Sequence, residues 1–149
     1  MRLTDTCDIA FRVLLFAAEK DGALFRIDQV VEFYGISRST TMKVVNTLTR
    51  AGLLLAKRGR AGGLYLGKPA EQISLGEIVR MMEPDFGLVE CQRPGNLCPI
   101  TPVCTLPGPL LEATNAFLET LDRYSLADIA IGPQRMFPLE FRDPTPKRS

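Results

Sequence analysis

The sequence predicts a mainly α-helical chain with one small β-hairpin, arranged as a winged helix-turn-helix followed by a long C-terminal helix. Three observations support this fold class. Apolar residues recur at helical spacing in three short segments before residue 52. Two apolar runs flank a glycine-rich basic turn between residues 53 and 66, and a wide apolar helix is predicted near residues 109–124.

The first three helices follow from their capping and breaking residues. The first begins at residue 4 or 5, where the side chains are suitable N-caps, and ends near Lys20. The second spans residues 27–34 and is ended by Gly35, after which Ser37 caps the third. Two helices joined by a tight turn that contains glycine are typical of a helix-turn-helix.

The third helix has an apolar face and a polar face. At about 100° per residue, Val44, Val45 and Leu48 point to one side and would pack on the first helix. The polar face and the start of the helix carry residue types that contact bases and phosphates in a major groove: Ser37, Arg38, Ser39, Thr40, Lys43, Asn46 and Arg50. The alternative is an ordinary amphipathic surface helix.

Basic residues are concentrated in the first half of the chain. Residues 1–72 hold 11 Lys/Arg and 7 Asp/Glu, a net charge of +4, whereas residues 73–149 have a net charge of −3. Between Ile36 and Lys68 there are seven basic residues and no acidic one, although a solvated face normally mixes both signs. This stretch indicates a polyanion binder and therefore favours DNA contact.

The segment between residues 53 and 66 predicts the β-hairpin of a winged helix. Its basic tip, with Arg58 and Arg60, would reach the DNA backbone or a minor groove. The glycines match neither a dinucleotide fingerprint nor a P-loop, which excludes a nucleotide site of either kind.

The second half of the chain predicts two further helices. One runs from Ser74 to about Glu83, where a proline stops it. The other runs from about Pro109 to Tyr124, and its wide apolar surface favours burial against a partner subunit over packing on its own domain. We therefore expect four regions: a winged helix-turn-helix DNA-binding region (1–72), a helix and cysteine-bearing loop (73–104), a dimerisation helix with a short following helix (105–130), and a flexible tail (131–149).

Composition excludes several classes of protein. The 149 residues are 46% hydrophobic, which is enough for one globular domain. The longest apolar run, residues 9–18, is too short and too charged to span a membrane and lacks the features of a signal peptide, so we expect a cytoplasmic protein. There is no histidine, no nucleophile motif and no evident pair of catalytic carboxylates, so we do not expect an enzyme.

Three of the four cysteines, Cys91, Cys98 and Cys104, lie within fourteen residues. Thiols stay reduced in the cytoplasm, where such a group more often binds metal or performs redox chemistry than forms disulfides. The spacings do not fit paired zinc knuckles, and zinc without histidine would need all four cysteines or a carboxylate. Thiolates with wider gaps on a Pro- and Gly-rich loop suit an iron–sulfur cluster better. Zinc and plain buried or redox thiols are the alternatives.

Several motifs in residues 2–130 occur together in one known family. They are Arg2-Leu3-Thr4 with Asp8, Arg12-Val13-Leu14, Tyr34-Gly35-Ile36-Ser37-Arg38, Leu48-Thr49-Arg50-Ala51-Gly52-Leu53, Arg58-Gly59-Arg60-Ala61-Gly62-Gly63-Leu64, Leu66-Gly67-Lys68-Pro69-Ala70 and the three cysteines. With these motifs the chain resembles the iron–sulfur winged-helix transcriptional regulators typified by NsrR, IscR and RirA. It is most similar to NsrR, the nitric-oxide sensor, notably at residues 98–104 and 124–128.

The resemblance implies a homodimer through the long helix, binding a palindromic operator in double-stranded DNA. It also implies a 4Fe–4S cluster held by Cys91, Cys98 and Cys104, with Asp8 from the partner subunit as fourth ligand. A 2Fe–2S cluster is the alternative, and handling in air can remove the cluster altogether. Cys7 is the alternative fourth ligand, because thiolate is the softer donor for iron. IscR uses a histidine, which this chain lacks.

The resulting hypothesis is a transcriptional repressor whose operator affinity is controlled by an iron–sulfur cluster that senses nitric oxide. Nitric oxide would displace the carboxylate, the weakest ligand, and so cut the link between one subunit's loop and the other's first helix. One alternative is the same fold sensing iron or cluster availability, as in RirA. A more distant alternative is a small metal or iron–sulfur redox protein that does not bind DNA.

Overall fold

The computed structural model describes residues 1–139, and this part of the chain confirms the predicted mainly α fold with a small hairpin. The helices are α1 (Asp5–Glu19), α2 (Ile27–Tyr34), α3 (Arg38–Arg50), α4 (Leu75–Met82), α5 (Pro107–Asp122) and α6 (Pro133–Met136), and the strands are β1 (Leu54–Lys57) and β2 (Gly63–Leu66). Short 3-10 turns lie at Ala70–Gln72, Glu90–Gln92 and Ala127–Ile129. Among the described helices, none is long and apolar enough to cross a membrane.

Capping residues define the ends of the first three helices. The Thr4 hydroxyl accepts a hydrogen bond from the backbone N–H of Cys7 at 3.3 Å, and the Ser37 hydroxyl accepts one from the N–H of Thr40 at 3.4 Å. Helix α2 ends at Gly35, whose φ of 62° lies in the left-handed region that glycine adopts without steric cost. The turn between α2 and α3 therefore falls where the sequence predicts it.

The hairpin is fixed to the helices by a backbone bridge. Strands β1 and β2 pair antiparallel, with Leu54 opposite Leu66. Phe25, which precedes α2, donates its N–H to the carbonyl of Leu64 at 3.0 Å and accepts the N–H of Leu64 at 2.8 Å. The hairpin is thus positioned relative to α2 and α3 and does not depend on its turn alone.

Helix α1 lies at the centre of the core and packs against α3. The main cluster of buried side chains joins α1 to the predicted apolar face of α3: Ile9, Ala10, Val13, Leu14, Phe16, Ala17, Val44, Val45 and Leu48. Cys7, Val79 and Leu118 form a second, smaller cluster where α1, α4 and α5 meet. Helix α1 therefore contacts both the helix-turn-helix and the helices that flank the cysteine loop.

The long helix α5 differs slightly from its predicted bounds. It begins at Pro107, two residues before the predicted start, because proline is tolerated in a first helical turn whose N–H groups have no helical partner. It ends at Asp122, whose carboxylate makes a bidentate ion pair with Arg80 of α4 at 2.5 and 2.7 Å. Leu118 is its one buried residue within this chain.

The prediction of a flexible tail over residues 131–149 is wrong for its first part. Helix α6 packs on the core, with Met136 buried and the ring centroid of Phe137 at 5.5 Å from that of Phe16. The periodicity of so short a helix is hard to recognise beside Gly and Pro. Residues 140–149 lie outside the described part of the chain.

The segment before α6 is held by a buried carboxylate. Glu19, at the end of α1, accepts hydrogen bonds from the backbone N–H groups of Ile131 at 2.7 Å and Gly132 at 3.0 Å. Its neighbour Lys20 places its ammonium group 4.2 Å from the ring centroid of Phe137. The chain after α5 thus returns to the end of α1.

Candidate nucleic-acid interface and metal centre

Helix α3 exposes the polar residues that the sequence places on one face. Ser39, Lys43, Asn46 and Arg50, here called the polar stripe, are all exposed, whereas Thr41 is buried with the apolar residues on the opposite side. The stripe combines an amide and a hydroxyl with two cations, so it can donate and accept hydrogen bonds at base edges.

The first turn of α3 is engaged within the chain. The Ser37 hydroxyl caps the helix and also accepts a hydrogen bond from the Thr40 hydroxyl at 3.2 Å. The Arg38 guanidinium points back to α2, where its Nε lies 2.8 Å from Oδ1 of Asp28, and its Nη1 lies 3.0 Å from the sulfur of Met42. These three predicted DNA contacts therefore have other partners in the free chain.

The wing presents two cations at its tip. Arg58 and Arg60 are exposed, and the carbonyl of Arg60 accepts a hydrogen bond from Nη2 of Arg26 at 3.3 Å. The tight turn needs glycine at position 62, because a Cβ there would overlap the carbonyl oxygen of Lys57. The turn is therefore built to bring the two arginines close to the end of a short hairpin.

Most of the basic residues of this region have no acidic partner. Of the seven between residues 36 and 68, two are ion-paired in the described chain: Arg38 with Asp28, and Lys68 with Glu77 at 3.0 Å. No ion pair within residues 1–139 involves the other five: Lys43, Arg50, Lys57, Arg58 and Arg60. Helix α3 and the wing thus carry uncompensated positive charge, as a surface that binds phosphates requires.

The cysteine loop is ordered by its own hydrogen bonds. Asn96 accepts the N–H of Cys98 at 2.9 Å and donates to the Thr101 hydroxyl at 2.8 Å. Glu90 accepts the N–H of Leu97 at 2.9 Å. The three thiols of this loop are free and partly exposed: Cys91, Cys98 and Cys104.

The two candidate fourth ligands lie in opposite environments. Cys7 is 0% exposed, and burial raises the pKa of its thiol to about 12, with the nearby Glu83 carboxylate acting in the same direction. The Cys7 sulfur is enclosed where α1, α4 and α5 pack together, so a cluster held by another subunit cannot reach it. The Asp8 carboxylate is 55% exposed and forms an ion pair with Arg12 at 2.7 Å. Asp8 is therefore the accessible donor of the two.

The donor set fits an iron–sulfur cluster in kind, because three free thiols on one loop are the ligands that such clusters use. Within residues 1–139, however, no three Cys, Asp or Glu side chains form a group that could hold a metal ion. The described chain thus contains the ligand side chains, but they do not lie close enough together to bind a metal ion.

Two contacts near the site are not indicated by any sequence pattern. Glu83, just after α4, accepts hydrogen bonds from the N–H of Thr4 at 2.8 Å and from its hydroxyl at 2.9 Å, across 79 positions. The Arg12 guanidinium lies 5.7 Å from the ring centroid of Tyr34, at the end of α2. These contacts connect the start of α1 to the end of α4, and the middle of α1 to the helix-turn-helix.

Solved structures with a similar fold are transcriptional regulators. CymR, the global cysteine regulator of B. subtilis, is 23% identical, with a TM-score of 0.68 over 87% of this chain and 96% of that one. Oxidised CymR of Staphylococcus aureus is 24% identical, with a TM-score of 0.69 over 88% and 97%. T. potens IscR is 19% identical, with a TM-score of 0.69 over 87% and 85%. At these identities the similarity establishes the fold.

The sequence itself identifies the family. Residues 3–131 match the Rrf2 family, described as iron-dependent transcriptional regulators. This match covers nearly all of the described chain, and it agrees with the expectation of a regulator without enzymatic activity. The chain belongs to the Rrf2 family of transcriptional regulators.

Proposed function

We propose that the chain is a DNA-binding repressor whose operator affinity is controlled by an iron–sulfur cluster that senses nitric oxide. One observation carries the proposal: three free thiols lie on one loop of a winged-helix chain that presents five basic residues without acidic partners. Membership of an iron-dependent regulator family supports it. The finer assignment to nitric oxide rests on the resemblance to NsrR.

The proposed DNA contacts divide between the polar stripe and the wing. In a major groove, Asn46 suits adenine, while Lys43 and Arg50 suit guanine or phosphates. Arg58 and Arg60 at the tip of the wing would contact the backbone or a minor groove. Ser37 and Thr40 would contribute at the start of α3, where helix N-termini meet phosphates.

We propose that the protein binds its operator as a homodimer formed through α5. Leu111 and Leu106, on this helix and just before it, are 57% and 53% exposed in the single chain. Burial of such side chains in a partner would stabilise the dimer. A twofold dimer would present two copies of α3 to half-sites about 34 Å apart, which accounts for a palindromic operator.

The proposed ligands are Cys91, Cys98 and Cys104 of one subunit and Asp8 of the other. Asp8 is preferred to Cys7 because its carboxylate is exposed, whereas the Cys7 thiol is buried. When bound, the cluster would supply iron that reacts with nitric oxide. A 4Fe–4S cluster is the expected type, with 2Fe–2S as the alternative.

The chain's own residues offer a route from Asp8 to the DNA-binding surface. Asp8 pairs with Arg12 in the free chain, and Arg12 also lies over Tyr34, the last residue of α2. If Asp8 is engaged by the partner's cysteine loop, Arg12 loses that ion-pair partner. Since α1 packs directly on α3, a change at Asp8 would alter how the two recognition helices are spaced.

The proposal can be tested with anaerobically purified protein. About four iron and four sulfide per chain would support a cubane cluster, about two of each a smaller cluster, and zinc without sulfide would contradict the sensor mechanism. Addition of nitric oxide should then release an operator duplex. An Asp8→Ala variant lacks the link between α1 and the partner's cysteine loop from the start, so it should bind the duplex weakly even before nitric oxide is added, and a normal release of DNA by nitric oxide would contradict the role of Asp8.

The second candidate is a regulator of the same fold that senses iron or cluster availability. The description of the family as iron-dependent favours it. Titration of the loaded protein with an iron chelator, in parallel with nitric oxide, separates the two. Release of DNA by the chelator, together with no release by nitric oxide in the parallel titration, would support this candidate. The redox protein that avoids DNA is disfavoured by family membership.

A further inference from the structure

Arg38 is the first residue of α3, and its side chain, which is 58% exposed, points back to α2. Its Nε donates to the Asp28 carboxylate at 2.8 Å, and its Nη1 contacts the Met42 sulfur at 3.0 Å. Both partners are themselves at the surface, with the Asp28 side chain 70% exposed. The guanidinium is therefore tethered across the turn between α2 and α3.

Asp28 is an acidic residue that lies next to a segment of the chain without acidic residues. The sequence from Ile36 to Lys68 has no Asp or Glu, and the turn after α2 brings Asp28 next to its first basic residue. Among the described residues, it is the only acid ion-paired with α3 or the wing. Asp28 thus offsets one positive charge at the point where the recognition helix begins.

We propose that Asp28 is a specificity-determining residue that keeps Arg38 away from DNA phosphates. The inference rests on the proposed DNA binding. A phosphate contact by Arg38 would strengthen binding to every sequence equally, because phosphates carry no base information. With Arg38 held by Asp28, a larger share of the affinity comes from the polar stripe, whose residues can read bases.

The restraint acts within the range that an exposed ion pair permits. Such a pair is weak in water and weaker at high salt, so its release should change DNA affinity several-fold and not by orders of magnitude. The more diagnostic quantity is the dependence of affinity on salt. The slope of log K against log salt concentration is negative, and each phosphate neutralised makes it steeper by about 0.9.

The test measures this slope by fluorescence anisotropy, with the anaerobically purified protein and a 30-base-pair duplex of random sequence. Asp28→Ala should steepen the slope by about 0.9 and raise affinity about three- to tenfold at low salt. Arg38→Gln alone should leave the slope at its wild-type value. The double variant Asp28→Ala/Arg38→Gln should show the wild-type slope as well. Glu32→Ala is the matched control, because it removes an exposed acid one turn along α2 and leaves Arg38 paired.

Two outcomes would overturn the inference while leaving the proposed function intact. If the slope becomes shallower by about 0.9 in Arg38→Gln, then Arg38 contacts a phosphate in the wild type. Equal changes in Asp28→Ala and Glu32→Ala would reduce Asp28 to a general charge effect. A wild-type protein that binds no duplex even at low salt would instead refute the proposed function, and the inference with it.

Discussion

The choice between Cys7 and Asp8 as fourth ligand can be decided by a Cys7→Ala substitution. Cys7 is 0% exposed and packs with Val79 and Leu118. Burial raises the pKa of its thiol to about 12, so the thiol stays uncharged at neutral pH in the metal-free chain. Cys7 therefore packs as a small apolar residue of the core.

The expected cost of Cys7→Ala follows from this environment. Removing one buried sulfur is comparable to deleting a methyl group, so the free energy of unfolding should fall by about 1 kcal/mol. For a chain of this size, that corresponds to a melting temperature lower by about 2–4 °C.

The assay compares Cys7→Ala with Asp8→Ala by urea unfolding of the metal-free proteins and by iron and sulfide counts of the loaded ones. Cys7→Ala should lower stability and leave the metal content unchanged. Asp8→Ala should change the free energy of unfolding little, because the Asp8 carboxylate is exposed. It should, however, change the iron and sulfide counts of the loaded protein. Loss of iron in Cys7→Ala, with normal iron in Asp8→Ala, would refute the reasoning.

Three other predictions concern the wing, α5 and the pH dependence of stability. Gly62→Ala should lower duplex affinity about three- to tenfold in anisotropy titrations, because the wing turn must open; Gly108→Ala, whose added Cβ meets nothing within 4 Å, should not. Leu111→Glu should give monomers in analytical ultracentrifugation without loss of helical circular dichroism. Burial raises the pKa of Tyr34 from 10.0 to about 12. The contribution of the protonated Tyr34 side chain to the free energy of unfolding is therefore present below pH 10 and is lost as pH rises to 12. Between pH 8 and 11, Tyr34→Phe should lose about 1 kcal/mol less stability in urea unfolding than the wild type.

The sequence predicts those parts of the fold that depend on neighbouring residues. The ends of α2 and α3 are set by Gly35 and Ser37, whose conformations and capping bonds are local, so their bounds could be predicted. The faces of α3 follow in the same way from helical periodicity. The sequence predicts the start of α5 two residues late, at Pro109, although a first helical turn accepts Pro107.

The candidate site is predictable only in part, because its contacts cross the fold. The spacing of the three cysteines is visible in the sequence, and so is the run of basic residues. The ion pair between Asp28 and Arg38 is not, since it depends on the angle between two helices. The burial of Cys7 and the exposure of Asp8 depend on where α4 and α5 pack, which a pattern within α1 does not specify.

The buried carboxylate of Glu19 has a consequence for how the molecule can be divided. It accepts two backbone N–H groups from residues 131 and 132, while Met136 and Phe137 cover the aromatic core beside it. A fragment that stopped at residue 72 would leave this carboxylate without those partners and uncover apolar rings. We therefore predict that residues 1–72 are less stable alone than in the whole chain, and that the chain unfolds as one cooperative unit.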